Sequence, residues 1–251
     1  MRLIFRLQAL KKQSYDNDYN HYLQSLFYNL IKNTEFSHLH DFKGTSSAER
    51  AITPFCFSNI FPYGDMKEGD IRNIIISSPN EKFIFLLHDR MKRINTPIHL
   101  GGMEFYGISS KIFRVNICYP LMVVSVTPII VRIPRSVYQD FNLDLRYPYE
   151  YIFWRQSYPL ELFLNQLEAN LKRKFLNYRK YPMESSVSFS KFVFERQISR
   201  KLIIRGMTQT IIATYWKFWF DEDNELIRFG LDAGFGERNR LGFGFMNINR
   251  T

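Results

Sequence analysis

The chain has 251 residues, 45% hydrophobic and 23% charged, enough apolar material for one or two packed cores and too much for a disordered chain. Lys and Arg outnumber Asp and Glu by 34 to 24, a net charge of +10, and aromatics reach 17% with 24 Phe and 15 Tyr. Basic charge favours polyanionic partners such as nucleic acid or an acidic membrane surface, and abundant flat rings beside it suit RNA, since cations meet phosphates and rings stack on bases. Cys56 and Cys118 are far apart with no CxxC, which excludes a disulfide framework or zinc ribbon and suits a cytoplasmic setting. No cofactor or metal set is expected. The most apolar stretch, Ile117 to Val131, is cut by Pro120 and Pro128, so no membrane span is expected either.

Residues Arg2 to Ala9 read as a strand. Asp16 or Asp18 can cap a helix carrying Tyr19, Leu23, Leu26, Phe27, Leu30 and Ile31. A polar loop, Thr34 to Arg50, contains His38 and His40. Thr53 to Phe61 and Asp70 to Ser77 read as strands, Pro79-Asn80-Glu81 opens a second helix, and Ile98 to Val115 returns to strand with a break at Gly101-Gly102. The second half repeats the order β-α-β-β-α-β. Leu121 to Ile133 is a strand, and Leu160, Leu164, Leu167, Leu171, Phe175 and Tyr178 mark a long helix stopped by Pro182. Val187 to Ile198 and Lys201 to Phe220 form a hairpin, Asp223-Asn224 caps a short helix, and Arg240 to Ile248 is a last strand. The predicted class is α+β: two tandem ferredoxin-like (βαββαβ, RRM-like) domains with a C-terminal glycine-rich loop. Their expected limits are 1–117 and 118–251, with the join near Asn116 to Pro120.

Gly234-Phe235-Gly236, a five-residue spacer with Arg238 and Arg240, and Gly242-Phe243-Gly244 form the most specific segment. Close glycines let backbone N–H groups approach a phosphate. The plain alternative, a helix-capping glycine and a turn, covers Gly234 alone. A dinucleotide fingerprint is excluded, because the loop follows a helix and leads into a strand. Upstream, Lys191, Arg196, Arg200, Lys201 and Arg205 alternate with Phe189, Phe192, Phe194 and Ile203. On strands that places charges on one face and rings on the other, a phosphate-tracking groove or, more plainly, a solvated face over a core.

The run from Asn224 to Gly244 resembles the signature end of the CRISPR-associated repeat-cleaving endoribonucleases, the Cas six family: a leucine-bearing helix, G-hydrophobic-G, a basic spacer and a second G-hydrophobic-G. The hairpin around Lys201 to Gly206 is similar to that family's penultimate hairpin. The resemblance implies two ferredoxin-like domains, CRISPR repeat RNA as partner, and metal-independent cleavage of precursor CRISPR RNA by 2′-hydroxyl attack, giving a 5′-hydroxyl and a cyclic or terminal phosphate. It leaves open a homodimer, contacts with other interference-complex subunits, and a non-catalytic RNA-holding role, since related subunits share the glycine loop.

Many members place a catalytic histidine in the loop after the first helix. Here that loop reads Ser37-His38-Leu39-His40-Asp41-Phe42-Lys43-Gly44, and the following aromatic strand is matched by Phe55-Cys56-Phe57-Ser58. His40 is the first choice for proton transfer and His38 the second; in an extended loop both would project to one side. Lys43 could stabilise the phosphorane. The family often adds a tyrosine, none occurs in this loop, and Tyr28 on the first helix is the nearest candidate. Two solvated loop histidines are the plain alternative. A metal reading of His-x-His would need Asp41 or Asp65 as further ligands and is weaker.

Overall fold

The computed structural model describes residues 1–39, 54–141, 143, 145, 147–184, 186–187, 189, 191–204 and 207–249. The chain divides into two units. One comprises Met1–Asn116 with Asn239–Gly242, the other Ile117–Arg238 with the chain from Phe243 onward. The segment 239–242, assigned to the second domain on sequence, is thus grouped with the first.

In the N-terminal unit, β1 (Arg2–Ala9) alternates: Leu3, Phe5, Leu7 and Ala9 are buried on one face. That period of two is what a half-covered strand imposes. Helix α1 (Asn20–Ile31) buries Leu23, Phe27 and Ile31, and α2 (Glu81–Met91) buries Phe83, Ile84, Leu87 and Met91. Asn80 caps α2 by accepting from the Phe83 N–H at 3.2 Å. The expected Asp cap on α1 is not found. Tyr19 holds that position without a side-chain bond, and Asp16 instead accepts from the Gly102 N–H at 2.9 Å. The strands β2 (Cys56–Phe57), β3 (Ile71–Ser77), β4 (Ile98–Leu100) and β5 (Met103–Phe113) complete an antiparallel sheet in the order β2-β3-β1-β5-β4. Strand β2 is far shorter than the predicted Thr53–Phe61.

In the C-terminal unit, β6 (Leu121–Ser125) ends earlier than expected. An insertion follows, with β7 (Arg132–Pro134), α3 (Arg135–Asp140) and β8 (Tyr151–Phe153), before α4 (Leu160–Arg179). Hairpin strands β9 (Lys191–Ile204) and β10 (Met207–Phe220), helix α5 (Glu225–Ala233) and β11 (Met246–Ile248) give a sheet in the order β11-β6-β10-β9. The C-terminal sheet, and the N-terminal sheet apart from β4 added at its edge, have the strand order of the ferredoxin-like βαββαβ unit, with the first and third strands central. The buried seam of α4 runs through Leu162, Phe163, Leu167, Leu171 and Phe175; Leu160, Leu164 and Tyr178 are only partly buried. Trp216 fills the centre, stacked on Phe163 at 4.5 Å between ring centroids. The last strand begins at Met246 rather than Arg240, because Asn239–Leu241 forms a 3₁₀ turn.

Candidate RNA-binding and catalytic site

Helix α5 starts cleanly because the Asn224 side chain accepts from the N–H groups of Leu226 and Ile227 at 2.9 and 3.4 Å. It is buried through Leu226, Ile227, Phe229, Leu231 and Ala233. Beyond it the G-hydrophobic-G motif acts first as a packing device. Phe235 is fully buried and Phe243 is 1% exposed, so each motif drives one ring into a core. Gly236 sits at φ +66°, where a Cβ would lie 2.4 Å from the Ile130 carbonyl oxygen. Gly242 sits at φ +79°, with a Cβ position 2.5 Å from Phe57 and 2.7 Å from the Asn20 amide. No side chain fits at either place.

Many of the loop's N–H groups already have protein acceptors. Gly234 donates to Gly230 O, Phe235 to Gly244 O, Glu237 to Ile130 O, Gly242 to Asn239 O, and Gly244 to Pro128 O, all at 2.8–2.9 Å. Lys174 on α4 donates to the carbonyls of Gly234 and Gly236, the latter at 3.0 Å. This clamp was missed in sequence, where Lys174 is one of several cations at the end of a helix.

The cations of the loop diverge. Arg238 adopts a left-handed φ of +57° and donates to Gln209 on β10 at 3.1 Å. Burial, and then the neighbouring Arg132, hold its guanidinium below the ordinary arginine range. Arg240, in the 3₁₀ turn grouped with the N-terminal unit, lies over the Phe55 ring at 5.9 Å. Glu237 pairs with Arg132, whose guanidinium also covers the Tyr151 ring at 4.6 Å. A cavity of about 260 Å³ beside this pair is lined by Glu150, Asn170 and Arg173 among others.

On the hairpin, Lys191 is tied to Asp221 at 2.9 Å and Arg196 lies over Tyr215 at 4.4 Å. The β9–β10 register shifts at Tyr215/Trp216, so strict alternation does not run the length of β9, and Arg200 and Lys201, being adjacent, project to opposite faces. The β10 partners Trp219, Tyr215 and Ile211 share one face, so the shift sets Lys191, Arg196 and Arg200 together on the face opposite Phe192 and Phe194, and Lys201 departs from it. Opposite Arg200 and Lys201 stand Ile211 and Thr210, next to the Gln209 that holds Arg238. Gln209 shares the Arg200 face, so Arg238 and Arg200 stand on one face of the distal hairpin and Lys201 on the other, with Lys191 at the far end. Arg205 lies outside the described residues.

Of the proposed catalytic group, His40 and Lys43 also lie outside the described residues. His38 lies in a 3₁₀ turn, Ser37–Leu39, rather than an extended loop. Its Nδ1 is 2.8 Å from the Glu35 carbonyl oxygen. A carbonyl only accepts, so Nδ1 carries the proton and Nε2 is the basic nitrogen of the neutral ring. Tyr28 is half-buried on α1, its hydroxyl accepting from Gln24 at 3.4 Å. Phe55, Cys56 and Phe57 are fully buried. Among the described residues no group of three His, Cys, Asp or Glu side chains could hold a metal ion, and no helix is long and apolar enough to cross a membrane.

The family pattern "CRISPR associated protein Cas6, C-terminal" matches residues 120–248, from β6 to β11. The chain belongs to the Cas6 family. Across 98% of its length it is 28% identical to a CRISPR-associated endoribonuclease Cas6 of Methanocaldococcus jannaschii, covering 99% of that protein. It is 26% identical to the Cas6 endoribonuclease of Haloferax mediterranei, over 99% of this chain and 93% of that one. A solved CRISPR-associated protein Cas6 superposes with a TM-score of 0.72 over 100% of this chain and 99% of its own, at 19% identity. A Cas6-related protein of Pyrococcus furiosus gives 0.71 over 99% and 98%, also at 19% identity. Those two share the fold: two ferredoxin-like domains of mixed α and antiparallel β structure.

Proposed function

We propose that this Cas6-family chain is an endoribonuclease that binds CRISPR repeat RNA and cuts precursor CRISPR RNA within the repeat. The observation that supports it is the similarity to curated Cas6 endoribonucleases, which runs through nearly the full length of both chains. In this reading the 2′-hydroxyl beside the scissile phosphate attacks phosphorus and the 5′-oxygen leaves. The products are a 5′-hydroxyl end and a 2′,3′-cyclic phosphate, which can open to a 3′-phosphate. Such a step needs a base, an acid and a cation near the phosphorane, and no metal. His40 carries proton transfer, His38 assists through Nε2, Lys43 neutralises the phosphorane, and Tyr28 is the candidate third group. Arg200, Lys201, Arg238 and Arg240, with Lys191, Arg196, Arg205 and the loop of Gly234, Gly236, Gly242 and Gly244, hold the RNA backbone.

Labelled repeat RNA incubated with the protein in EDTA tests this reading. Cleavage should persist, and a 2′-deoxy substitution at the scissile nucleotide should abolish it, because the attacking oxygen is gone. His40→Ala should slow single-turnover cleavage by ~10²–10⁴ with little change in affinity. Full activity in the His38→Ala/His40→Ala double variant would refute the assignment. Binding without any cleavage by the unaltered protein would instead make it an RNA-holding subunit.

A further inference from the structure

The insertion between β6 and α4 carries a second aromatic and cationic surface within the C-terminal unit. Between the Tyr149–Tyr158 segment and β10 runs a groove of about 690 Å³. Tyr149, Phe153, Arg155 and Tyr158 line one side, Gln209 and Thr210 the other. Tyr149 is 52% exposed and meets the equally exposed Tyr147 edge-on at 6.1 Å between ring centroids. Rings left in water on one short segment are unusual on a surface with no partner. Arg155 is exposed, and its guanidinium has no partner among the described residues.

The groove is held open by its backbone. The Tyr138 hydroxyl donates to the Tyr149 carbonyl. Arg135 N–H donates to Glu150 O, and Trp154 N–H to Val131 O, both at 3.0 Å. The Trp154 indole N–H donates to Pro159 O at 2.9 Å and fixes the return of the segment. None of these bonds uses the Tyr149 or Arg155 side chain, so both are presented by a rigid frame without being part of it.

Charge selects the occupant. Lys201 stands opposite Thr210 in the β9–β10 ladder, Arg238 donates to Gln209, and Arg155 projects from the other wall. The carboxylate in the lining, Glu150, can accept from a base amino group. Ring faces between cations suit bases that are not paired, because a duplex hides the faces on which stacking depends. We propose that this groove holds unpaired nucleotides of bound RNA, stacked on Tyr149 with the backbone met by Arg155 and Lys201. The proposal rests on the reading of the chain as an RNA-binding enzyme and adds a subsite for that RNA.

The probe is a single-stranded RNA decamer, 2′-O-methylated so that it cannot be cut, with one 2-aminopurine walked along it. Binding to the full chain should quench the fluorescence at one position or two adjacent ones. Tyr149→Ala should weaken affinity by roughly 5- to 150-fold, the range for one lost base–aromatic stack, and abolish that quench. Tyr149→Phe should restore both, because the ring and not the hydroxyl does the stacking. Arg155→Ala, at an exposed position, should flatten the salt slope by about one. Unchanged affinity and quenching in both Tyr149→Ala and Arg155→Ala would overturn the groove. So would RNA-free self-association that Tyr149→Ala abolishes, which would make the surface an interface between copies. Cleavage of repeat RNA is scored separately: intact cleavage with no groove effect sinks the groove alone. Absence of cleavage sinks the enzymatic reading while quenching still decides the groove.

Discussion

Gly242→Ala measures whether the end of the glycine loop is an integral part of the N-terminal unit. At φ +79° an L-residue pays about 1–2 kcal/mol for the left-handed conformation. Its Cβ would stand 2.5 Å from Phe57, which is fully buried and packed edge-on against Phe27 at 5.3 Å, so the ring has nowhere to go. It would also displace the Asn20 amide, which donates to Leu241 O at 2.7 Å. Overpacking of this kind costs about 1–3 kcal/mol, for a total of ~2–5 kcal/mol. The control is Gly69→Ala in the same unit, at φ +87° with its nearest neighbour 3.9 Å away, which should cost the conformational part only. All three tryptophans, Trp154, Trp216 and Trp219, lie in the C-terminal unit, so their fluorescence reports that unit alone. The assay is therefore urea titration with hydrogen exchange read on peptides from β1 and α1, beside tryptophan fluorescence in the same sample. An excess of ~1–3 kcal/mol for Gly242→Ala over Gly69→Ala is expected in the β1 and α1 peptides. Equal losses for the two variants, or a loss confined to the tryptophan signal, would refute the packing argument.

Lys174→Met should destabilise the C-terminal unit by about 1–3 kcal/mol, because two loop carbonyls lose a charged donor; tryptophan fluorescence against urea reads it. Arg200→Ala with Lys201→Ala should reduce the magnitude of the salt slope for RNA binding by about two, as filter binding at several salt concentrations would show. His88 gives a pH dependence. Burial, then the Lys92 ammonium, lower its pKa below 6.5 against a weaker raising pull from Asp89, and its Nδ1 lies 2.8 Å from the Ser110 hydroxyl. The unfolded chain then binds the proton more readily, so this contribution to stability is full above pH 6.5 and is lost as pH falls through the lowered folded value. His88→Gln should flatten the stability profile of the N-terminal unit over that window, measured by exchange of the α2 amides.

Local pattern was enough to determine the alternation of β1, the apolar stripes of α1 and α2, the Asn80 and Asn224 caps and the tandem βαββαβ order, because each depends on neighbours a few residues away. The family resemblance was legible for the same reason: Gly234-Phe235-Gly236 and Gly242-Phe243-Gly244 repeat a short pattern whose spacing survives in one dimension. Where the α4 seam would rotate, from Leu164 to Phe163, depended on Trp216, more than forty residues downstream. The reason Gly236 and Gly242 must be glycine was equally hidden, since Ile130 and Phe57 crowd them from distant parts of the chain. Charge told only that a polyanion would bind. Which cations are already spent, Lys191 on Asp221 and Lys174 on loop carbonyls, was decided by tertiary contacts, and which share a face of the hairpin, Lys191, Arg196 and Arg200 but not Lys201, by strand register and its bulge. Register couples residues across the sheet, and no local pattern in the chain carries that information.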